Sequence, residues 1–364
     1  MLASKTLDQK KIKTILIRSA NWVGDTIMST PVIRAVRKNF PDASVNVLAK
    51  PWVAPLFDNN PYIDDVLIYD ADGRHRLGFG TFRLSFDLRK HGFDLFISIQ
   101  NAFEAALLSF LAGIPRRVGY NTDGRAFLLN YSIPLDPELK KGHLIDYYLG
   151  ILHGVSLITD GRELDLFLSD KEQARAEDIL RGYGLSGREK LIGINPGAKY
   201  GTAKRWFPER YTELCNRLLA RDETKILIFG GPGEESLGEY ISEQTGNRCI
   251  NLSGKTGLRE AIALIRRCRL FITNDSGLMH VAAALDIPQI AVIGSTDPVA
   301  TGPSNRQSRI VQVPVSCSPC LKPECPIDHR CMTRVTVDMV YNAAQELLEL
   351  KQTPSEEVTK PMAK

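Results

Sequence analysis

The feature that most constrains this chain is a repeated alternation of short β-branched runs with amphipathic helical stretches. Each run has the length of a buried strand, and each stretch between runs is long enough for one helix. In the first half, strands are predicted at Thr14–Arg18, Val45–Ala49, Asp65–Tyr69 and Leu95–Ile99, with helices at Thr26–Asn39, near Phe82–Lys90 and at Ala102–Ala112. Strands joined by helical crossovers pair in parallel, which indicates a doubly wound sheet.

The alternation weakens between about Asn121 and Lys190 and then restarts. The later strands are predicted at Leu191–Asn195, Lys225–Phe229, Leu270–Thr273 and Gln289–Ile293, and the later helices at Asp146–Leu152, Lys171–Tyr183, Pro208–Ala220, near Glu234–Thr245, and at Leu258–Arg267, Gly277–Leu285 and Val337–Lys351. We therefore expect an α/β protein with two Rossmann-like doubly wound domains that face a central cleft. The predicted domains are residues 1–170 and 171–352, and residues 353–364 are predicted to be a disordered tail.

Composition narrows the class of protein. The 46 lysines and arginines barely exceed the 42 acidic residues, a net charge of +4 over 364 residues, so a dedicated nucleic-acid binder is not expected. The polar N-terminal segment lacks the apolar core of a secretory signal, and polar residues interrupt the longest apolar stretch, Leu95–Ile114. These features predict a cytoplasmic protein.

Three strand-to-helix loops could carry chemistry, because ligands bind outside the carboxyl ends of strands in open α/β sheets. The first loop, SANWVGDTIMSTP, follows the first strand and places Asp25 near a helix start. Asp is favoured there as a helix cap, which is one reading of this residue. The other reading is a carboxylate at the cleft rim that accepts a proton from a hydroxyl substrate.

The second loop, NPGAKYGTAKRWFPERY, follows the first strand of the second half. Gly197 and Gly201 make the loop flexible, and Lys199, Lys204 and Arg205 supply positive charge just before a helix. A basic, glycine-bearing loop that ends at a helix N-terminus suits a phosphate group. A solvated basic turn is the alternative.

The third loop, TNDSGLMHVAAALDIP, follows the strand Leu270–Thr273. Asp275 or Ser276 can cap the next helix, and the backbone N–H groups of the first turn would point outward, those of Ser276, Gly277, Leu278 and Met279. Free N–H groups and the helix dipole together favour a diphosphate. His280 lies in the same turn, as a ligand contact or as a structural residue.

These loops together resemble one family, the ADP-heptose:lipopolysaccharide heptosyltransferases of glycosyltransferase family 9. The resemblance runs from about residue 14 to residue 350. It is closest to members whose acceptor already carries one heptose. The matching segments are RSANWVGDTIMSTP, FLAGIPRRVGY, PGAKYGTAKRW, NLSGKTGL and TNDSGLMHVAAALDIPQIAVIGSTDP.

The resemblance implies a GT-B fold, in which the first domain binds the acceptor and the second binds ADP-heptose. It implies an inverting transfer of L-glycero-D-manno-heptose that requires no cofactor and no catalytic metal. Asp25 matches the general base of the family, and Lys204 matches the lysine that contacts the donor phosphates. The segment that wraps the diphosphate and heptose matches Asp275, Ser276, Gly277 and Leu278, with His280 and Gly197 as further donor contacts and Thr296 and Asp297 as weaker candidates.

The implied acceptor is the heptosyl-Kdo2-lipid A inner core of lipopolysaccharide, reached by peripheral contact with the cytoplasmic face of the inner membrane. Such an acceptor is rich in phosphates and carboxylates and favours basic contacts. The candidates are Lys50, Arg116 and Arg117, with Arg74 and Arg76 beside them, although a solvated surface is the alternative for each. Two alternatives stay open. The protein could use an acceptor that carries no heptose or two heptoses, or it could be a non-catalytic nucleotide-sugar-binding protein.

Four of the seven cysteines crowd into one segment, CSPCLKPECPIDHRC. Cys317, Cys320, Cys325 and Cys331 could hold a structural zinc, because a tetrahedral site of four thiolates suits that ion. The spacing is irregular for opposing Cys-x-x-Cys pairs. Reduced or partly oxidised thiols and, more remotely, an iron–sulfur cluster are the alternatives.

Overall fold

The computed structural model describes residues 6–350, apart from residues 77 and 222 and the side chain of residue 350. The predicted tail 353–364 lies outside the described residues. The strands are β1 Thr14–Arg18, β2 Ser44–Ala49, β3 Asp65–Ile68, β4 Leu95–Ser98, β5 Arg116–Tyr120, β6 Tyr131–Ile133, β7 Lys190–Asn195, β8 Thr224–Ile228, β9 Cys249–Asn251, β10 Leu270–Asn274, β11 Gln289–Val292 and β12 Ser308–Val311.

The helices alternate with these strands along the chain. They are α1 Val23–Met28, α2 Thr30–Asn39, α3 Phe79–Arg89, α4 Phe103–Leu111, α5 Pro137–Lys141, α6 Leu144–His153, α7 Asp170–Gly182, α8 Pro208–Leu219, α9 Glu235–Gln244, α10 Leu258–Arg266, α11 Gly277–Ala284, α12 Pro298–Thr301, α13 Arg330–Thr333 and α14 Val337–Leu350. Short 3-10 turns lie at Gln9–Lys11, Ala54–Phe57, Ala126–Leu128 and Thr202–Lys204.

The strands form two six-stranded sheets in which every pairing is parallel. The first has the order β3-β2-β1-β4-β5-β6, and the second has the order β12-β11-β10-β7-β8-β9. In the first sheet, Ile15 of β1 lies opposite both Val45 of β2 and Leu95 of β4. The chain reverses its direction of travel across the sheet between β1 and β4, and the equivalent point of the second sheet lies between β7 and β10. Ligands bind at such switch points.

Both faces of each sheet are covered, as a doubly wound fold requires. Ile15 and Ile17 of β1 pack into one buried cluster, and Leu16 between them packs into a different one. In the second sheet, Ile192 of β7 and Phe271 of β10 likewise belong to different clusters. Strands covered on both faces are continuously apolar, which is why the short β-branched runs were visible in the sequence.

The predicted single helix over Thr26–Asn39 is wrong, because the chain divides it into α1 and α2 at Ser29. Pro31 has no N–H to donate to the carbonyl of Ile27 four residues earlier. The Thr30 hydroxyl bonds that carbonyl at 2.8 Å. The division leaves α1 as a short, separate helix at the carboxyl end of β1.

The two sheets are linked by an extended segment that is held to the first half. Arg34 of α2 bonds Asp160 at 3.2 Å and is also paired with Asp165. Beyond the segment, α7 packs on α10 of the second half, where Arg175 and Glu260 form an ion pair at 3.0 Å. This arrangement is compatible with the predicted boundary near residue 170.

Candidate active site

Asp25 lies in the first turn of α1, directly after the central strand β1. It does not cap the helix, because the cap position is Trp22 and no side chain bonds the first turn there. Its Oδ1 accepts a 2.8 Å hydrogen bond from the hydroxyl of Tyr148, a buried residue of α6. Desolvation raises the pKa of the Asp25 carboxyl above its ordinary value, while the Tyr148 hydrogen bond and the charge of Lys204 act in the opposite direction. The result is a carboxylate that is held in place by a hydrogen bond and whose affinity for a proton is raised.

Two glycines allow α1 of the first half to pack directly on α11 of the second half. A Cβ on Gly24 would lie 2.7 Å from the ring of His280, and a Cβ on Gly277 would lie 2.9 Å from the Cβ of Val23. Both distances are shorter than van der Waals contact permits. The absence of these two side chains therefore brings Asp25 to the amino end of α11.

On the second half, facing Asp25 from the other side of the cleft, two buried side chains form an ion pair. Lys204 Nζ contacts Asp275 Oδ2 at 2.8 Å, and the side chains are 15% and 5% exposed. The Thr296 hydroxyl donates a 2.6 Å hydrogen bond to the same Asp275 oxygen. Asp275 thus holds the ammonium of Lys204 at the carboxyl end of β10 and leaves part of that cation open to the cleft.

The charged side chains of Lys204 and Asp275 in the second half act on the pKa of Asp25 in the first half, and we call these three residues the electrostatic unit. Lys204 lowers the pKa of Asp25, and the negative charge of Asp275 raises it. Burial lowers the pKa of His280 to about 4, so this imidazole is neutral near pH 7. Its Nδ1 is buried and has no hydrogen-bond partner among the described residues.

The amino end of α11 presents backbone rather than side-chain donors. Ser276 precedes the helix, and its hydroxyl is directed to Asn195 Oδ1 at 2.7 Å instead of capping the first turn. The N–H groups of Gly277 and Leu278 have no partner within the helix, because the first turn of any helix lacks the preceding carbonyls. An anion at this end is favoured by these donors and by the helix dipole.

Gly197 lies close to the side chain of Glu234, a contact that the sequence did not predict. A Cβ there would lie 2.1 Å from the carboxylate of Glu234. Glu234 accepts a hydrogen bond from the Gly231 N–H at 2.8 Å through Oε2, while its Oε1 is buried without a hydrogen-bond partner. Sequence reasoning missed this carboxylate, because a glutamate before a helix is ordinarily a dipole contact.

The cysteine-rich segment packs on the side of the cleft that belongs to the second half. The carbonyl of Pro323 accepts a 2.9 Å hydrogen bond from the Ala203 N–H, and His329 Nε2 lies 3.0 Å from the Ala203 carbonyl. Cys320 and Leu321 donate their N–H groups to the Ser295 carbonyl. The segment therefore supports both the Lys204 turn and the loop that carries Thr296.

No metal site is present among the described residues. No group of three or more His, Cys, Asp or Glu side chains there could hold a metal ion, and the four clustered cysteines are free thiols. The structural zinc at these cysteines stays a prediction. Asp70 and Asp72 have an Asp-x-Asp spacing, but the Asp70 carboxylate accepts hydrogen bonds from the backbone of Gly73 and Arg74 within a turn.

The basic candidates for acceptor binding separate into two groups. Lys50 follows β2 at the same edge as Asp25, with its Nζ 4.8 Å from the ring centre of the exposed Trp52. Arg116 and Arg117 instead begin β5 at the opposite edge, where Arg117 bonds the Leu128 carbonyl at 2.7 Å. The first residues of a strand lie at the end opposite to its carboxyl end. The structure therefore does not bring these two arginines to the cleft.

Two of the three further candidates bind neighbouring protein groups. Arg74 is paired with Asp87 at 2.8 Å. Asp297 caps α12 through the Val299 N–H, so its side chain has a structural role. Arg76 is exposed.

A carboxylate base on one side of the cleft and a cation with free N–H donors on the other suit one class of reaction. That class is the displacement of an anionic leaving group by a hydroxyl nucleophile. With two parallel sheets and a site between them, the protein has the GT-B architecture of nucleotide-sugar-dependent transferases.

The comparisons with known proteins then identify the family. Residues 81–330 match the model of glycosyltransferase family 9 (heptosyltransferase), and the chain belongs to that family. It is 33% identical to lipopolysaccharide heptosyltransferase 2 of Salmonella typhimurium and 32% identical to that of Escherichia coli K12, in each case over 82% of this chain and 88% of the relative. A solved structure of E. coli ADP-heptose LPS heptosyltransferase II matches 93% of this chain and 100% of its own length, with 28% identity and a TM-score of 0.79.

Proposed function

We propose that this protein transfers L-glycero-D-manno-heptose from ADP-heptose to the heptosyl-Kdo2-lipid A inner core of lipopolysaccharide. The observation that carries the proposal is the position of Asp25, held by Tyr148 and facing the Lys204–Asp275 pair across the α1–α11 contact. The names of the relatives support the donor and the acceptor class. The reaction is an inverting glycosyl transfer.

Asp25 acts as the general base. It takes the proton from the acceptor hydroxyl as the hydroxyl oxygen attacks the anomeric carbon of the heptose. The bond from that carbon to the diphosphate oxygen breaks, and ADP leaves with the electron pair. General-base assistance of this kind contributes about 10²–10⁴-fold to the rate. Attack from the side opposite to the diphosphate inverts the anomeric centre.

Lys204 and the amino end of α11 stabilise the leaving diphosphate. The ammonium is fixed by Asp275, and the Gly277 and Leu278 N–H groups are fixed by the helix, so neither has to reorganise during the reaction. These groups supply positive potential without a metal ion, and we propose that catalysis requires none. Transfer in the presence of EDTA should equal transfer with added Mg²⁺, and a loss with EDTA that Mg²⁺ restores would contradict this part of the proposal.

Tyr148 is the positioning residue for the base. Its hydrogen bond fixes one oxygen of Asp25, so the other oxygen is directed to the substrate. The hydrogen bond also favours the ionised carboxylate, which the reaction needs. Tyr148 was not singled out in the sequence, although the hydroxyl of a buried tyrosine usually has a hydrogen-bond partner.

The two halves divide the substrates between them. We assign the acceptor to residues 1–170 and the donor to residues 171–352. Lys50 and Trp52 lie at the carboxyl edge of the first sheet, where a cation suits acceptor phosphates and an aromatic face suits a sugar ring. On the donor side, Glu234 Oε1 lies 4.0 Å from the Arg205 guanidinium and accepts no hydrogen bond from the described protein. We propose that it accepts one from a sugar hydroxyl, because a carboxylate oxygen accepts and cannot donate.

The acceptor is lipid-anchored, so the protein has to work at a membrane surface. Within residues 6–350, the structure contains no helix long and apolar enough to span a bilayer. We propose a cytoplasmic location with peripheral contact at the inner membrane. Nucleic acid is not among the proposed partners.

A panel of acceptors tests the proposed specificity. The purified chain is incubated with ADP-heptose and with Kdo2-lipid A that carries no, one or two heptoses, and the products are identified by mass spectrometry. Transfer to the acceptor with one heptose is expected. Preferred transfer to one of the other two acceptors would assign the protein to heptosyltransferase I or III, and binding of ADP-heptose without turnover on any of them would indicate a non-catalytic binding protein.

A further inference from the structure

The described part of the chain exposes an unusual set of phenylalanines. Every phenylalanine among its exposed large hydrophobic residues lies in α3, in α4 or in the turn that packs on α4. We call this set the phenylalanine surface, and its members are Phe79, Phe82, Phe86, Phe103, Phe110 and Phe127. A group of exposed apolar side chains on one layer of the fold indicates a contact with another body.

The members of the phenylalanine surface lie on one side of the first sheet. Helices α3 and α4 pack against each other, and Leu84 of α3 and Leu108 of α4 share one buried cluster beneath them. The rings of Phe103 and Phe127 are 6.2 Å apart, which joins the turn to α4. The surface is therefore the outer side of a two-helix layer.

The outward face of α3 is aromatic where a surface helix is ordinarily polar. Leu84 and Leu88 face the sheet and are buried. Phe79, Phe82 and Phe86 recur at helical spacing on the opposite face and are 95%, 62% and 62% exposed. Nothing in the fold of the described residues requires apolar side chains at these positions.

Basic side chains surround these rings. Between residues 74 and 90 the chain carries five basic residues and one acidic residue, a local excess as large as that of the whole chain. Lys90 Nζ lies 4.7 Å from the ring centre of Phe86, and the Arg117 guanidinium lies 5.4 Å from that of Phe110. Aromatic rings interleaved with cations suit the interface of an anionic bilayer.

The same charges disfavour a second copy of this chain as the occupant. A twofold contact through α3 would bring two copies of the basic segment 74–90 together, and like charges at an interface oppose association. Charge complementarity thus selects a negatively charged partner.

The position of the surface agrees with the site. Phe79 begins α3 and Phe103 begins α4, and these helices follow β3 and β4, so both residues lie toward the carboxyl edge that also carries Asp25. We infer that the phenylalanine surface docks the protein on an anionic phospholipid bilayer. Docking there holds the cleft beside an acceptor anchored in the same bilayer. The role in transfer rests on the proposed function, whereas the docking itself does not.

Vesicle flotation tests the docking. The full chain is mixed with vesicles of phosphatidylethanolamine and phosphatidylglycerol, or with vesicles of phosphatidylcholine alone. The wild type should float with the anionic vesicles. The triple variant Phe79→Ser/Phe82→Ser/Phe86→Ser should bind them at least about tenfold more weakly, since interfacial binding scales with buried apolar area. The variant Arg83→Glu/Lys90→Glu should also bind weakly, and Ile158→Ser/Tyr183→Ser, which removes exposed apolar side chains elsewhere, should bind like the wild type.

Two activity assays separate docking from chemistry. The triple variant should transfer heptose normally to a deacylated, water-soluble acceptor and at least about tenfold more slowly to an acceptor embedded in anionic vesicles. Equal vesicle binding by the wild type and the triple variant would overturn the inference. A second result would also overturn it. The wild type would sediment as a dimer, and the triple variant would sediment as a monomer with unchanged vesicle binding. If the wild type transfers no heptose to the soluble acceptor, the proposed function is contradicted. The flotation result would still test the docking, because it does not depend on transfer.

Discussion

The hydroxyl of Tyr148 donates a 2.8 Å hydrogen bond to Oδ1 of Asp25, and this bond joins α6 to α1 at the centre of the cleft. Tyr148 is buried, and its pKa is raised well above the ordinary value by burial and by the Asp25 charge, so the phenol stays protonated and remains a donor. The carboxylate is therefore the member of the pair that takes up a proton when the solution is acidified. Under the proposed mechanism, this protonation sets the lower limit of the pH range for activity.

Tyr148→Phe should move the acidic limb of the pH–rate profile upward. The lost hydrogen bond favoured the ionised form, so the pKa of Asp25 rises and activity falls at a higher pH as the solution is acidified. A hydrogen bond to a charged group is worth about 1.5–3 kcal/mol, which corresponds to a shift of about one to two pH units. The measurement is kcat/KM against pH. Tyr147→Phe is the matched control, because the Tyr147 hydroxyl bonds Asn101 and not Asp25, and an unchanged limb in Tyr148→Phe would exclude the positioning role.

Lys204→Gln should lower kcat/KM by about 10²–10³-fold, the usual loss when one group that stabilises a leaving charge is removed. The amide can still donate to Asp275, so the loop should keep its structure. Steady-state kinetics with ADP-heptose gives the effect, and circular dichroism checks the fold. Lys199→Gln, an exposed residue on the same loop, should behave like the wild type. Equal losses in the two variants would refute a specific role for Lys204.

Gly24→Ala should lower activity by at least about tenfold, because a misplacement on the ångström scale is costly to reaction geometry. The new Cβ would lie 2.7 Å from the His280 ring, so α1 and α11 have to move apart and carry Asp25 away from Lys204. Gly182→Ala is the control, since a Cβ at the end of α7 meets nothing within 4 Å. Comparable activity in the two variants would show that the close helix contact does not position the site.

Glu172→Gln should destabilise the protein at neutral pH. The Arg259 hydrogen bond lowers the pKa of Glu172 to about 2, from an ordinary value of 4.5. A depressed pKa stabilises the folded state above the unfolded-state pKa, and this contribution is lost as the pH falls from about 4.5 toward 2. Urea unfolding should thus show a deficit of roughly 1–3 kcal/mol in the free energy of unfolding at pH 7 that narrows on acidification. Glu243→Gln in the exposed part of α9 should show no deficit, and a Glu172→Gln deficit independent of pH would contradict the assignment.

The central strands were predictable because burial on both faces makes them continuously apolar. The range predicted for β1 agrees with the structure, and the predictions for β2 and β4 differ by one residue. The strands that sequence reasoning missed, β5, β6, β9 and β12, are short or lie toward the sheet edges, where the apolar signal is weak. The division at Ser29 depended on Pro31 and a hydroxyl bond, which periodicity does not register.

The site residues that belong to a loop motif could be predicted from the sequence. Those that reach the site only through tertiary contacts could not. Asp25 and Lys204 were proposed from their loops and both belong to the electrostatic unit, although their catalytic roles stay predictions. Tyr148 and Glu234 come from elements without a motif, and only folding brings them to the cleft. No role for the cysteine-rich segment could be assigned from the sequence. Its hydrogen bonds to Ala203 and Ser295 join it to loops that are distant along the chain, and no local pattern indicates them.

The most direct test of the account is single-turnover transfer by Asp25→Asn with ADP-heptose and the acceptor that carries one heptose. The amide is nearly isosteric and cannot accept the proton, so the rate should fall by about 10²–10⁴-fold. Calorimetry should show that the variant still binds ADP-heptose, because Lys204 and α11 are unchanged. Transfer by Asp25→Asn at a rate near that of the wild type would contradict the assignment of Asp25 as the base and with it the proposed mechanism.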